Sequence, residues 1–307
     1  MVSASVSTSL GLLAGLAAAL PRPLLPRQSG AETVVYWGQN GGGTVENNDL
    51  SAYCSSGAGI DIIVLAFLYQ FGNGNDDPSG TVGQSCFITN AGEGQNCDNL
   101  GSAITTCQSN GIKIILSLGG AVGSYSLASE DEATTIGNNL WKLYAMISAL
   151  RSNFATDSGN TYYITGAPQC PIPEPNMGVV IDNAQFDYLW PQFYNNNNYT
   201  VPCALPINGN APFNYDDWVT YTASTPSANA KLFIGVPAAP LAANGGPAGE
   251  TYYATPEQLS DIVSEYKSHD RFSGIMMWSA GFSDSNVIDG CTYAQQAKSI
   301  LTTGSPC

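Results

Sequence analysis

Basic side chains are scarce: the 307-residue chain has 9 Lys and Arg against 24 Asp and Glu, a net charge of -15. Nucleic acid or an acidic membrane surface therefore finds no cationic footprint to bind. Histidine is scarcer still. The single one, His269, sits in the polar run Ser268-His269-Asp270-Arg271 and reads as a solvated surface residue, which leaves little support for Ser-His-Asp or metal chemistry. The cysteines show no CxxC spacing, and no apolar strand is followed by Gly-x-Gly-x-x-Gly. The run Gly38-Gln39-Asn40-Gly41-Gly42-Gly43 lacks the Lys-Ser/Thr of a phosphate cradle and reads as a turn. Nothing in these patterns asks for a cofactor or a metal. A membrane span is lacking too, because the apolar run at residues 10–20 is too short; with Pro21, Pro23 and Pro26 after it, residues 1–30 read as a secretory leader ahead of one domain, 31–307.

What is present agrees with export. Eight cysteines, an even number without metal-ligand spacing, favour disulfides, although spacing alone leaves 105 pairings open. Tyr, Asn, Gly, Ser and Thr are abundant, as in secreted proteins that handle neutral ligands, and Asn198-Tyr199-Thr200 is a glycosylation sequon. No oligomer signal is visible, so a monomer is expected.

Seven short apolar runs read as strands: residues 33–37 (TVVYW), 61–68 (DIIVLAFL), 112–118, 161–166, 186–194, 231–236 and 273–278. Helices fit at 48–53, 100–109, 214–222 and 256–268, and the polar segment 69–99, with two cysteines, reads as a long functional or stapled loop. Such alternation predicts an α/β fold with a parallel sheet closing into a barrel. A closed (β/α) barrel needs eight strands. The missing one falls where residues 129–154 (SEDEATTIGNNLWKLYAMISALRSNF) read as one helix of about twice the average length, capped by Ser129 and apolar along one face.

The strand ends spell Tyr36-Trp37-Gly38-Gln39-Asn40, Ala66-Phe67-Leu68, Leu116-Ser117-Leu118-Gly119-Gly120, Ala167-Pro168-Gln169-Cys170-Pro171, Gln192-Phe193-Tyr194-Asn195-Asn196, Gly235-Val236-Pro237-Ala238-Ala239-Pro240 and Met276-Met277-Trp278-Ser279. In this order, over nearly all of residues 33–300, they resemble the class III, hevamine-type chitinases of glycoside hydrolase family 18, of fungal type. The resemblance implies a TIM barrel that hydrolyses β-1,4-linked N-acetylglucosamine. It implies a substrate-assisted mechanism, in which the N-acetyl carbonyl attacks the anomeric carbon while one Glu protonates the leaving oxygen. That Glu ends an Asp-x-x-Asp-x-Asp-x-Glu motif on the fourth strand.

The motif is absent from this sequence. By comparison with the family, Leu140-Trp141 should lead into the fourth strand, yet Lys142 and the following helix come next, so roughly one βα unit of about 35 residues is missing. Glu174, Asp182 and Glu250 are the loop acids left to substitute. The sugar-holding positions remain: by resemblance Trp278 is the stacking floor, Tyr194 the hydroxyl that contacts the acetamido group and supports catalysis, and Tyr36, Gln39, Phe67, Gly119, Gly120, Gln192 and Asn195 line the groove. The same resemblance implies the disulfides Cys54-Cys107, Cys86-Cys97 and Cys170-Cys203, which leaves Cys291 with Cys307. The expectation is a secreted chitinase-family protein whose hydrolysis is strongly impaired; the alternatives are a non-catalytic chitin-binding module and a shortened splice or gene-model form of an active enzyme.

Overall fold

β-Branched and aromatic runs with both faces covered become parallel strands. A computed structural model describes residues 30–39, 46–91, 93–125, 157–196, 199–207, 209, 211–243 and 247–307. The strands are β1 Glu32–Trp37, β2 Ile62–Gly72, β3 Asn75–Val82, β4 Cys86–Ile88, β5 Gly94–Gln95, β6 Lys113–Leu118, β7 Ser124–Tyr125, β8 Thr165–Gly166, β9 Tyr188–Leu189, β10 Lys231–Pro237 and β11 Phe272–Trp278. Eight of them pair in parallel, seven in the order β6-β2-β1-β11-β10-β9-β8 and the short β7 on β2 beyond β6. Register is tight at the centre, where Val35 faces both Ile63 and Met277. The sequence-predicted leader, the long helix at 129–154, the seam at 141–142 and the sequon residue Asn198 lie outside the described residues.

Alternation along each strand makes two cores. Val34, Tyr36, Ile62, Val64, Trp190, Phe233 and Met276 fill the interior of the curved sheet. Val35, Trp37, Ile63, Leu65, Ile234 and Met277 face outward into a layer of helices. These are α1 Asp98–Ser109, α2 Gly178–Asn183, α3 Tyr215–Ala223, α4 Pro256–Tyr266, α5 Ala280–Ser285 and α6 Tyr293–Thr303. Local chemistry sets the ends of α4 and α6: Thr255 with Gln258, and Thr292 with Gln295, form capping boxes, and Gly304 closes α6 in the left-handed region. No helix among the described residues is long and apolar enough to cross a membrane.

Four disulfides form, Cys54–Cys107, Cys86–Cys97 and Cys170–Cys203, the three implied by the family resemblance, and Cys291–Cys307, the pair these leave. Segment 69–99, expected as a loop, is different. β2 runs on to Gly72 and continues as an antiparallel β2-β3-β4-β5 ribbon stapled by Cys86–Cys97. Its Gly and Asp content hid the strands, because polar ribbon strands at a rim bury little apolar surface.

Two other strands are shorter than the sequence predicts. Of 161–166 only Thr165–Gly166 enters a ladder, and of 186–194 only Tyr188–Leu189, followed by single bridges from Gln192 to Gln169 and Gly235. Direct pairing of segments 112–118 and 161–166, which a seven-stranded closure requires, does not occur: among the described residues the outer edges of β6 and β8 have no strand partner. At the amino end of the barrel, charged side chains join the strands instead. Buried Glu32 holds the ammonium groups of Lys113 and Lys231, and Lys113 Nζ lies 5.4 Å from the ring centroid of Tyr163.

Candidate functional site

Parallel barrels present their chemistry at the carboxyl ends of the strands, and here those ends are aromatic. Tyr36 ends the inward face of β1, Phe67 lies in β2 and Trp278 ends β11. Their rings form one pad: Phe67 stacks on Trp278 at 5.9 Å with an interplanar angle of 15°, and Tyr36 is tilted against both, at 5.9 Å and 5.5 Å. Trp190 meets Tyr36 edge-on from below. Such rings prefer offset or edge contacts and hold one another rigidly. Phe67 and Trp278 are only partly buried, so the pad keeps an accessible side.

Polar groups surround the pad. Tyr194 is buried and packs with Ala243 and Tyr252 beside Trp278, and burial pushes its hydroxyl well above the usual phenol range, with Tyr36 adding to the rise. Tyr36 is raised in the same way, by burial, against the pull of a hydrogen bond to Ser117. Both phenols are thus kept neutral as hydrogen-bonding groups. Gln39 Nε2 donates to Gly38 O at 3.0 Å, and Gln192 Nε2 donates to Ala167 O at 2.8 Å, which orients each amide.

Two glycines are required by close approach. Gly120, at φ +112°, would put a Cβ 3.2 Å from the Phe67 ring, and Gly38, at φ +114°, would put one 2.4 Å from Ala66 O. Gly119 lies beside them and donates its N–H to Leu68 O at 2.8 Å. Of the sequence-predicted positions, Tyr36, Phe67, Gly120 and Trp278 therefore meet through the pad, with Tyr194 against Trp278. Asn195 stands apart, exposed in the left-handed region at φ 64°.

Every acid proposed as a substitute has a structural use or an exposed position. Glu174 accepts the N–H groups of Gln169 at 2.9 Å, Asn176 at 2.7 Å and Met177, folding the loop after β8 into α2. Asp182 accepts the Tyr221 hydroxyl at 2.8 Å on the outer helices, and Glu250 is exposed in the 3-10 helix Pro247–Tyr252. Among the described residues no group of three His, Cys, Asp or Glu gathers as metal ligands would.

One acid escaped the sequence reading. Glu46 is 3% exposed, and its carboxylate accepts the N–H of Gly38, after β1, and that of Gly281, after β11, the latter at 3.1 Å. It clamps the turn after β1, which carries Gln39, to the start of α5, just beyond Trp278. No local motif marks it, because its partners are backbone amides, one of them 235 positions away. Burial raises its ionisation from 4.5 to about 7; the amide hydrogen bonds oppose this, and Asp284, itself raised and paired with the Tyr53 hydroxyl at 2.6 Å, adds to it.

The folded chain therefore holds this proton more tightly than the unfolded chain does. Glu46's contribution to stability is complete below pH 4.5 and is lost as the pH rises through about 7. At about 1.4 kcal/mol per pKa unit the loss is on the order of 3 kcal/mol. Thermal melting between pH 4.5 and 8 should show Tm falling through this window, and Glu46→Gln should flatten that part of the curve. An unchanged slope in the variant would refute the assignment.

Fold and site together define a (β/α)-barrel protein with an aromatic mouth lined by neutral polar groups. Endochitinase 2 of Metarhizium anisopliae is 60% identical over 335 residues, covering 96% of this chain and 80% of that protein. The acidic endochitinase of Arabidopsis thaliana is 34% identical over 282 residues, 82% of this chain and 86% of that one. Among solved structures, a chitinase from Ipomoea carnea superposes with a TM-score of 0.66 at 27% identity, covering 87% of this chain and 98% of its own. No protein-family model matches the chain. The chain belongs to the class III chitinases of glycoside hydrolase family 18. The Metarhizium alignment spans 335 positions, but 96% of 307 residues is about 295, so about 40 positions of the relative have no counterpart here.

Proposed function

We propose that this chain binds chitin or chitooligosaccharides at the barrel mouth and hydrolyses them very poorly. The observation that carries the reading is the Tyr36–Phe67–Trp278 pad with Tyr194 beside it, at strand ends where Glu46 and Glu174 are committed to backbone amides. An aromatic pad ringed by neutral donors and acceptors suits a pyranose with an acetamido group: the ring face stacks on the indole, and the amides and phenols orient the substituents. In this reading Trp278 is the floor, Tyr194 and Gln192 face the acetamido group, and Tyr36, Gln39, Phe67, Gly119 and Gly120 shape the wall. Asn195 contributes at the rim. The endochitinase relatives support the ligand class. Residues 1–30 act as a leader that exports a monomeric domain of residues 31–307, and neither metal nor cofactor takes part.

Retention on chitin beads tests this directly. The purified chain should be held, should elute with chitotetraose and not with cellotetraose, and should leave the tetramer intact over hours. Passage through the column, or release only by high salt, would refute the groove. A second reading, a shortened form of an active enzyme, is favoured by the about 40 unmatched positions of the relative. An in-frame stretch reading Asp-x-x-Asp-x-Asp-x-Glu between the codons for Trp141 and Lys142 would establish it.

A further inference from the structure

The carboxyl ends of β1 and β11 are joined by one buried side chain. Gly38 and Gln39 follow β1, and Gly281 lies in α5, shortly after Trp278 ends β11. Glu46 accepts the N–H of Gly38 and that of Gly281, the latter at 3.1 Å, and the N–H of Gln39 bonds to it as well. It is wedged against α5: a Cβ at Gly281 would meet the Cβ of Glu46 at 3.1 Å and its Cα at 3.3 Å.

The neighbours of Glu46 fix where it stands. Asn47 O accepts the Trp37 indole N–H at 3.0 Å, Asn47 N–H donates to the Tyr53 hydroxyl at 3.1 Å, and that hydroxyl donates to Asp284 of α5 at 2.6 Å. The segment from Glu46 to Tyr53 thus reaches α5 twice, at Gly281 and Asp284, one helical turn apart. From α5 the hold passes to the pad. Ser283 N–H donates at 2.9 Å to the carbonyl of Ser279, the residue next to Trp278, and Trp278 O accepts the N–H of Ala238 at 2.8 Å.

We propose that Glu46 is a positioning residue for the sugar site: without touching the ligand, it keeps Gln39 and Trp278 in register across the groove. The inference rests on the sugar-binding reading of the mouth. A charged acceptor makes hydrogen bonds roughly twice as strong as a neutral one, and protonation turns one of the two carboxylate oxygens into a donor, which an N–H cannot use. The ionised side chain is therefore the better clamp. Two titratable groups face it, Asp284 from α5 and Tyr53 from the 3-10 helix Leu50–Cys54. With ionisation raised to about 7 by burial, Glu46 changes charge in the neutral range, whereas burial holds the Tyr36 and Tyr194 phenols of the mouth neutral there. Burial penalises the charge in the fold as a whole, while the charge strengthens the local clamp. Sugar affinity and thermal stability should therefore move in opposite directions as the pH rises.

The test is calorimetric titration of the full chain with chitotetraose between about pH 5 and about pH 9, with Tm recorded on the same samples. Kd should fall at least about fivefold as the pH rises, the low end of typical coupling between separate positions, while Tm falls. Glu46→Gln keeps the size and loses the charge; it should bind across the range no more tightly than the native chain does at the acid end. Asp284→Asn, which removes the facing charge, should move the midpoint of the profile to lower pH. Histidine side chains ordinarily titrate in the same range, so His269→Asn, which breaks the pair with Asp216 on α3, is the control and should leave the profile in place. The native profile itself needs no variant to fold. A native Kd constant within about twofold, or one that rises as Tm falls, would overturn the proposal, as would a Glu46→Gln chain that keeps the native profile or a His269→Asn chain that loses it. Trp278→Ala separates the two readings: if it abolishes binding while the native Kd ignores pH, the groove stands and the role of Glu46 falls. A native chain that binds at no pH refutes both.

Discussion

Insertion of a βα segment carrying Asp-x-x-Asp-x-Asp-x-Glu between Trp141 and Lys142 is expected to raise fluorophore release from a chitotriose conjugate by at least 10²-fold over the native chain. General acid catalysis contributes typically about 10²–10⁴-fold, and groups that act as one unit lose more than single removals suggest. The native chain supplies no replacement at the mouth among its described residues. Glu46, beside the end of β1, is committed to the amides of Gly38 and Gly281, and Glu174 to those of Gln169, Asn176 and Met177. A carboxyl must sit within about 0.5 Å of its productive position, and these two are anchored elsewhere. The inserted chain should also melt at a higher temperature, because the added segment covers Leu116, which is 46% exposed. Hydrolysis by the native chain within tenfold of the inserted one would sink the impaired reading. An insertion that folds and remains inactive would place the defect elsewhere in the groove.

The central strands were legible because their sequences need nothing from distant residues. Val34-Val35-Tyr36-Trp37 and Ile62-Ile63-Val64-Leu65 are apolar on both faces, and a strand covered on both sides by helices and neighbours has to be. Trp278 and Phe67 were readable only through the order of the motifs around them, since an aromatic residue at a strand end is equally a core residue. The ribbon β3-β4-β5 was hidden for the opposite reason: its strands carry Asp, Gly and Ser at a rim and take their order from pairing and from Cys86–Cys97. Segment 161–166 looked like a full strand and yields only Thr165–Gly166, which pairs on one side with the equally short β9. Glu46 shows the remaining limit. Its role depends on two loops brought together by the β1–β11 pairing, a contact that no local window of sequence contains.

Trp278→Ala should weaken chitotetraose binding about 30-fold, measured by calorimetry on folded protein. The central aromatic of an interface typically costs about 2 kcal/mol or more when truncated, and about 1.4 kcal/mol is a factor of ten. Trp278 has the geometry for that role: it is partly exposed, braced by the near-parallel ring of Phe67 at 5.9 Å and the tilted ring of Tyr36 at 5.5 Å, and packed against the cluster that holds the buried Tyr194. Trp37 provides the contrast. It ends the neighbouring strand β1 but points outward into the helical layer, 2% exposed, with its indole N–H donating to Asn47 O at 3.0 Å. Trp37→Phe should therefore lower Tm and leave the dissociation constant within about twofold, while Trp278→Phe, which keeps a smaller stacking face, should fall between the native chain and the alanine variant. If Trp278→Ala binds as tightly as the native chain, the pad is barrel packing and the sugar site lies elsewhere. If both tryptophan variants lose affinity in proportion to lost stability, the effect is structural. Only loss at Trp278 without a matching fall in Tm supports the stacking floor.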